Sequence, residues 1–219
     1  MKPGDFLLGV LDFFAILLPG TMATWLVLQY VPTTVLRDAL SFRIEGEPQP
    51  NAWVLGIAFL LSSYTLGHFV FMLGSKLDAS YDRWRKLTKP PATRDSTYKA
   101  ARNLHETLNK ELLHEGFSTL KWAKAYIQVH AQDARVEIDR LEADQKFFRS
   151  LVVIAVAFAA HFLLLEGAPV AGLLAAALGV LAYQRYADQR WKMTELIYGT
   201  AVIVNQAITS GARSERAAT

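Results

Sequence analysis

Four long apolar stretches constrain this chain more than any other feature of its sequence. They cover residues 6–31, 52–74, 147–165 and 169–186, and Asp12 is the only Asp, Glu, Lys or Arg in the first two. Crossing the roughly 30 Å hydrocarbon core of a bilayer takes about 20 predominantly apolar residues in an α-helix. The sequence therefore predicts an all-α integral membrane protein with four transmembrane helices.

The two shorter stretches, 147–165 and 169–186, leave a second interpretation open. Residues 166–169 permit only a tight hairpin between them, and a helical hairpin buried in a soluble core would have a similar composition. Both stretches are apolar on every face, which favours membrane spans over helices at a protein surface. For the first stretch, 6–31, a cleaved signal peptide is disfavoured because the apolar part is too long and no strongly basic segment precedes it.

The distribution of Lys and Arg predicts the orientation of the spans. Segment 75–146 carries fourteen of these residues, whereas segment 32–50 carries two and the 166–169 turn none. Positively charged flanks stay on the cytoplasmic side of a membrane. We therefore expect both termini to lie in the cytoplasm, together with a cytoplasmic helical domain over 75–146 and a C-terminal helix and tail over 187–219.

A long stalk helix is predicted to be continuous with the third span. The segment 117–166 contains no Gly or Pro, and an apolar row recurs in it every seven residues, as in a packed or coiled-coil seam. One helix of about 48 residues would be roughly 70 Å long, although two helices with a break remain the alternative. The seam residues, which we expect to drive packing within the cytoplasmic domain or between the chains of a homo-oligomer, are Leu120, Ile127, Ala134 and Leu141.

An acidic residue and a histidine are predicted to face each other inside the bundle. Asp12 lies about six residues into the first span and His68 about six residues before the end of the second, so antiparallel helices would place them at similar depth. Ionisable residues in spans usually face the bundle interior and have a partner. The pair could form a proton- or ion-sensitive site or a structural hydrogen bond, and Pro19 and Gly20 would then form a tolerated kink.

Three further sets of residues are candidates for contacts. His161 in the third span is expected to make an interhelical hydrogen bond rather than bind a ligand. Small residues that permit close helix approach are Ser63, Gly67, Gly172 and Ala176. A basic and aromatic block beside the second span favours a lipid-headgroup anchor over nucleic-acid contact, and it consists of Arg83, Trp84, Arg85 and Lys86.

Several classes of function are disfavoured by the sequence. There are no cysteines, which rules out disulfides, thiolate metal sites and cysteine nucleophiles. No phosphate-binding loop, nucleophile elbow or dinucleotide-binding glycine motif is present, and no complete set of metal ligands has the required spacing. We therefore predict no enzymatic activity, no cofactor and no metal.

Three segments, LDFFAILLPG, YTLGHFVFMLGSKLD and EADQKFFRSL, resemble parts of uncharacterised bacterial inner-membrane proteins of similar size. Some of those proteins accompany prokaryotic defence systems. The resemblance implies a membrane-perturbing effector and carries no catalytic residues. It favours a self-associating channel or pore subunit of the bacterial inner membrane, with a role in antiviral defence and the lipid bilayer as its main partner. The alternative is a membrane adaptor that recruits a cytoplasmic protein or nucleic acid.

Overall fold

The computed structural model describes the backbone of residues 3–31, 52–88, 92–108 and 118–218, and these ranges are almost entirely helical with no strand among them. Side chains are described for 13–31, 53–83, 96–108 and 118–210. The helices are α1 Pro3–Leu28, α2 Ala52–Ser75, α3 Leu77–Thr88, α4 Ala92–Leu108, α5 Thr119–His130, α6 Gln132–Ala160, a π-helical segment His161–Leu165, and α7 Pro169–Ala218.

The prediction of an all-α fold is confirmed for the described part of the chain. Three helical runs are long and apolar enough to cross a membrane, namely Trp53–Arg83, Gln132–Leu165 and Pro169–Ser210. The described side chains of α1 form a shorter apolar helix, Phe13–Leu28. The described helices group into two compact units. We call Gly9–Ser80 with Ala143–Tyr186 the apolar unit, and Met1–Leu8 with Tyr81–Glu142 and Ala187–Thr219 the charged unit.

In the apolar unit, α1 and α2 approach until their backbones touch. A Cβ atom added to Gly20 would lie 1.9 Å from the Ser63 carbonyl oxygen, and one added to Gly67 would lie 2.3 Å from the Ile16 carbonyl oxygen. The Ser63 hydroxyl is fully buried here and donates to Thr24 Oγ1 at 3.0 Å. Small residues therefore make this helix contact possible. Pro19 and Gly20 lie inside α1, which continues as one helix past both residues.

The α6–α7 hairpin of the same unit also depends on small residues. A Cβ added to Gly172 would lie 2.4 Å from Leu163 Cγ, and Ala176 is half-buried one turn further along α7. Gly167 has φ +62°, a left-handed conformation that glycine adopts without steric cost, and it lies in the turn before α7. The tight turn brings the π-helical segment against the start of α7.

The charged unit has its own core, built from α4, α5, α6 and α7. This core combines aromatic, aliphatic and small residues, and its buried members are Ala101, Trp122, Ala123, Ile127, Ile138, Ile197, Tyr198 and Ala201. His105 is buried and stacks on Trp122 with ring centres 4.9 Å apart. Tyr126 donates a hydrogen bond to Asn205 Oδ1 at 3.3 Å, and burial raises the pKa of its hydroxyl above the usual 10.0.

The predicted single helix over 117–166 is wrong, because the helix is interrupted at Ala131. This residue has φ −145° and ψ 68°, while its N–H still bonds the Ile127 carbonyl at 2.8 Å and closes α5. The break allows α5 and α6 to change direction, so that Ile127 and Ile138 are buried in the same core. The helix that is continuous with the third predicted span therefore begins at Gln132 rather than at Phe117.

The C-terminal helix is longer and less divided than predicted. The fourth predicted span, 169–186, and the helix expected over 187–219 form one helix, α7, that runs from Pro169 to Ala218. There is no Pro in this segment after Pro169, and Gly172, Gly179 and Gly199 are all accommodated within the helix. The third predicted span, 147–165, consists of the end of α6 and the π-helical segment.

We expect Ile127→Ala to destabilise the charged unit by about 2–5 kcal/mol, because the side chain is 1% exposed and its removal leaves a cavity. Val129→Ala is the matched control, since Val129 lies on the same helix and is 72% exposed. Thermal unfolding of the full chain in detergent, followed by circular dichroism, measures both. Equal midpoints for the two variants would contradict this core.

Candidate functional site

The His161 cluster consists of Tyr30, His161 and Glu166, all in the apolar unit. The imidazole is 5% exposed, its Nδ1 contacts the Tyr30 hydroxyl, and its Nε2 lies 2.9 Å from Glu166 Oε1. Tyr30 follows α1 in a turn closed by its N–H to the Val27 carbonyl at 3.0 Å. Glu166 lies in the turn before α7. The histidine thus joins the end of α1 to the α6–α7 hairpin.

The positions of the hydrogens in this cluster follow from which of its groups can donate and which can accept a hydrogen bond. An ionised carboxylate only accepts hydrogen bonds, so Nε2 of His161 carries a hydrogen and donates it to Glu166. In a neutral imidazole the other nitrogen then accepts, and the Tyr30 hydroxyl donates to Nδ1. Protonation of Nδ1 would turn it into a donor and require the phenol to accept instead. The cluster therefore has two hydrogen-bonded arrangements that differ by one proton.

The backbone at His161 is itself unusual. Residues His161–Leu165 form a π-helix, in which Glu166 N–H bonds the His161 carbonyl at 3.2 Å. In the turn that follows, Ala168 N–H bonds the Phe162 carbonyl at 2.8 Å. Single π-helical turns occur frequently at functional sites. The wider turn ends α6 and directs the His161 side chain toward both of its partners.

The Arg149 cluster is a second polar group in the apolar unit and consists of Asp78, Arg149 and Tyr186. Arg149 is 6% exposed, and its Nη1 donates to Asp78 Oδ2 at 3.1 Å. The Tyr186 hydroxyl donates to Asp78 Oδ1 at 2.5 Å. The guanidinium carbon lies 4.7 Å from the centre of the Phe71 ring, and Gly74 packs against the aliphatic part of the arginine. A buried charge is therefore paired and also has a cation–π contact.

Polar atoms beside this cluster are incompletely satisfied. Within the described part of the chain, Arg149 Nε, Gln145 Oε1 and Ser150 Oγ are buried and have no hydrogen-bond partner. Most buried polar atoms in native proteins are hydrogen-bonded, so a group of three exceptions on one helix distinguishes this place from ordinary core.

The two clusters are separated by apolar packing. His161 follows Arg149 by twelve residues, which corresponds to about 18 Å along a helix. The buried apolar side chains of α6 between them are Val152, Ile154 and Ala159. Among the described residues of one chain, no continuous row of polar side chains on α6 links the clusters.

The predicted Asp12–His68 pair stays a prediction. The Asp12 side chain lies outside the described residues, and His68 is exposed and contacts the Tyr64 ring edge-on at a centroid distance of 4.7 Å. In the predicted headgroup anchor, Arg83 is exposed on α3, whereas the side chains of Trp84, Arg85 and Lys86 also lie outside the described residues.

The four residues of the predicted seam fall into two groups. Ile127 is buried in the core of the charged unit, and Leu120 and Ala134 pack against that core. Leu141 instead lines a groove of about 460 Å³ together with Leu196 and Ile203. Three seam residues therefore contribute to packing within the chain, and Leu141 is the one beside an open groove.

Sequence reasoning identified His161 but missed its partners and the whole Arg149 cluster. The available signals were Arg149, which is the only Asp, Glu, Lys or Arg in the 147–165 stretch, and Glu166, which follows that stretch directly. Tyr30 and Asp78 gave no separate signal, because aromatic and charged residues are common at the ends of spans. The candidate site rests on this chain alone, since no family model, curated protein or solved structure matches it.

Proposed function

We propose that the chain is a four-span protein of the bacterial inner membrane, with α1 as the additional span. Helix α1 has 26 residues, enough for about 39 Å at 1.5 Å per residue. An even number of spans places both termini on the same side, and the basic residues of 75–146 and 187–219 favour the cytoplasm.

We further propose that copies of this protein associate and make the membrane permeable to ions. The observation that carries this proposal is the His161 cluster, a buried histidine joined to a phenol and a carboxylate inside an apolar unit. Ionisable groups in spans are costly and usually mark pathways for ions or protons. The resemblance to defence-associated membrane proteins supports antiphage defence as the setting.

A pathway for ions would lie between copies rather than through one chain, because apolar side chains of α6 separate the two clusters. Self-association is supported by the groove beside Leu141, where Ile203 is 65% exposed. A second copy that covers this groove would bury apolar surface, which is worth roughly 25 cal/mol per Å² before the costs of association.

In this proposal the His161 cluster fixes the end of α1 in place. The Tyr30 hydroxyl holds the end of α1 to His161, and Glu166 orients the imidazole from the turn before α7, so loss of the Tyr30 contact frees that end of α1. A change in protonation at Nδ1 alters the direction of the Tyr30 hydrogen bond. The His161 cluster then has two states, and a trigger could favour one over the other.

The test uses purified protein in vesicles of phosphatidylethanolamine and phosphatidylglycerol loaded with K⁺. We expect the wild type to release K⁺ as an oligomer counted by single-molecule photobleaching. His161→Leu should change the release rate by about tenfold or more, equivalent to roughly 1.4 kcal/mol, without changing the subunit number. Tyr30→Phe, which removes only the hydroxyl, should change it in the same direction.

His68→Leu is the matched control, because His68 is exposed and lies outside the His161 cluster. Its release rate should stay within about twofold of the wild type, a difference below 0.5 kcal/mol. Absence of release from wild-type vesicles would refute the permeability proposal. A K⁺ release rate that changes in His68→Leu but not in His161→Leu would assign the functional site to the predicted pair of His68 with Asp12.

The second candidate function is a membrane adaptor, and the separate core of the charged unit favours it. A unit with its own core and an apolar groove can bind a cytoplasmic protein without any ion flux. In the vesicle experiment, an adaptor would be monomeric and would release no K⁺. That pair of results would replace the channel proposal with this one.

A further inference from the structure

An apolar groove runs along the apolar unit between α1, α6 and α7. Its volume is about 580 Å³, and every residue that lines it is apolar. Met22 contributes from α1. Phe148 on α6 and Phe162 in the π-helical segment mark the two ends of the groove, as do Ala182 and Ala171 on α7. A ligand with a polar body would lose its hydrogen bonds with water here and gain none.

The shape of the groove suits a long, thin occupant. From Ala171 to Ala182 its lining extends about 16 Å along α7. Its volume of about 580 Å³ over that length leaves room for an acyl chain, whose width of roughly 4–5 Å follows from carbon contact distances.

Charge distinguishes the two ends of the groove. Arg185 is exposed on α7, and its guanidinium carbon lies 5.9 Å from the centre of the Phe148 ring, which lines one end. Between residues 150 and 184 there is no Lys or Arg, and the nearest charged residue to the Phe162 end in the sequence is the acidic Glu166. The site is therefore apolar along its length and cationic at one end.

We propose that this groove binds one acyl chain of an anionic phospholipid, whose phosphate contacts Arg185. A guanidinium has five donors and can bind phosphate while keeping its other contacts. The groove is about as long as one leaflet, which is half of roughly 30 Å. The Arg185 end belongs to the predicted cytoplasmic side, where anionic headgroups attract basic residues. This inference rests on the membrane placement proposed above but not on ion flux.

The experiment is native mass spectrometry of the full chain in a mild detergent, with equimolar phosphatidylglycerol and phosphatidylcholine carrying the same acyl chains. The wild type should retain one lipid and prefer phosphatidylglycerol by about fivefold or more. Ala175→Phe fills the middle of the groove and should reduce retention of both lipids by about fivefold. Arg185→Gln should leave total retention intact and bring the ratio of the two lipids close to one.

Leu173→Phe and Arg135→Gln are the matched controls, because Leu173 is 65% exposed on α7 outside the groove and Arg135 lies in the charged unit. Both should behave like the wild type. Circular dichroism verifies folding, and Ala171→Leu replaces Ala175→Phe if the latter unfolds the protein. Unchanged retention in the filled variants, or an unchanged lipid preference in Arg185→Gln, would overturn the proposal.

Three further outcomes also decide. Loss of dimers in Ala175→Phe with unchanged lipid retention would assign the groove to a second copy and overturn the lipid site. Wild-type protein that releases K⁺ from vesicles but retains no lipid overturns this inference alone. Protein that retains phosphatidylglycerol yet releases no K⁺ supports the lipid site and counts only against the proposed permeability.

Discussion

Asp78→Ala is expected to lower the free energy of unfolding by roughly 3 kcal/mol, at the lower end of the range for breaking a buried ion pair. The reason is that Arg149, whose side chain is 7% exposed, would keep its charge in an apolar unit without the Asp78 carboxylate at 3.1 Å. The Asp78 side chain retains 35% exposure, so water relieves part of the penalty. Unfolding by sodium dodecyl sulfate in mixed micelles measures the loss.

Two companion variants identify the cause. Asp139→Ala breaks the surface pair with Arg135, which spans four residues on one helix, and it should cost only about 0.3–0.5 kcal/mol. Asp78→Ala combined with Arg149→Leu removes both charges and should recover much of the lost stability, because the unpaired charge is the main cost. A double variant that is no more stable than Asp78→Ala would contradict this explanation.

Gly67→Leu is expected to separate α1 from α2 and to cost about 3 kcal/mol or more, the upper range for overpacking. A Cβ at this position would lie 2.3 Å from the Ile16 carbonyl oxygen and 2.8 Å from Ile16 Cγ2. The first of these atoms belongs to the backbone and cannot move without displacing the helix. The thermal midpoint and the yield of folded protein after purification should both fall.

Gly56→Ala on the same helix should change the stability in the opposite direction. Nothing lies within 4 Å of a Cβ built at Gly56, and replacing Gly by Ala in a helix interior stabilises by roughly 0.5–1 kcal/mol. If Gly67→Leu were as well tolerated as Gly56→Ala, the close α1–α2 contact would be absent from the folded protein.

The sequence predicted the elements that depend on uninterrupted apolar composition. The second span was placed at 52–74 and the helix runs over Ala52–Ser75, because every backbone polar group in such a stretch needs an internal partner. The small residues Ser63 and Gly67 were expected at a close helix contact and lie at the α1–α2 contact. Both features are local properties of one segment.

Features that depend on distant partners or on unmarked backbone changes could not be predicted. Ala131 breaks a helix without Gly or Pro, and the apolar row continues across the break from Ile127 to Ala134, so the pattern resembled one continuous helix. The bond between Tyr30 and His161 joins residues 131 positions apart, and that between Asp78 and Arg149 joins residues 71 positions apart. Periodicity within a helix contains no information on such pairings.

We predict that four helices of this protein cross the inner membrane, with both termini in the cytoplasm. The chain has no cysteine, so single cysteines introduced at Lys2, Ala168 and Ser210 can each be labelled cleanly. We expect a membrane-impermeant maleimide to label the cysteine at position 168 in intact bacterial spheroplasts. The other two should react only after the membrane is opened.

Each departure from that pattern has a definite meaning. External labelling at position 2, with position 210 protected, would mean that α1 does not cross and that only three helices span the membrane. External labelling at position 210 with position 168 protected would mean that the orientation is opposite to the predicted one. Labelling at position 168 alone is the result predicted here, and labelling of all three positions in intact spheroplasts would contradict membrane insertion itself.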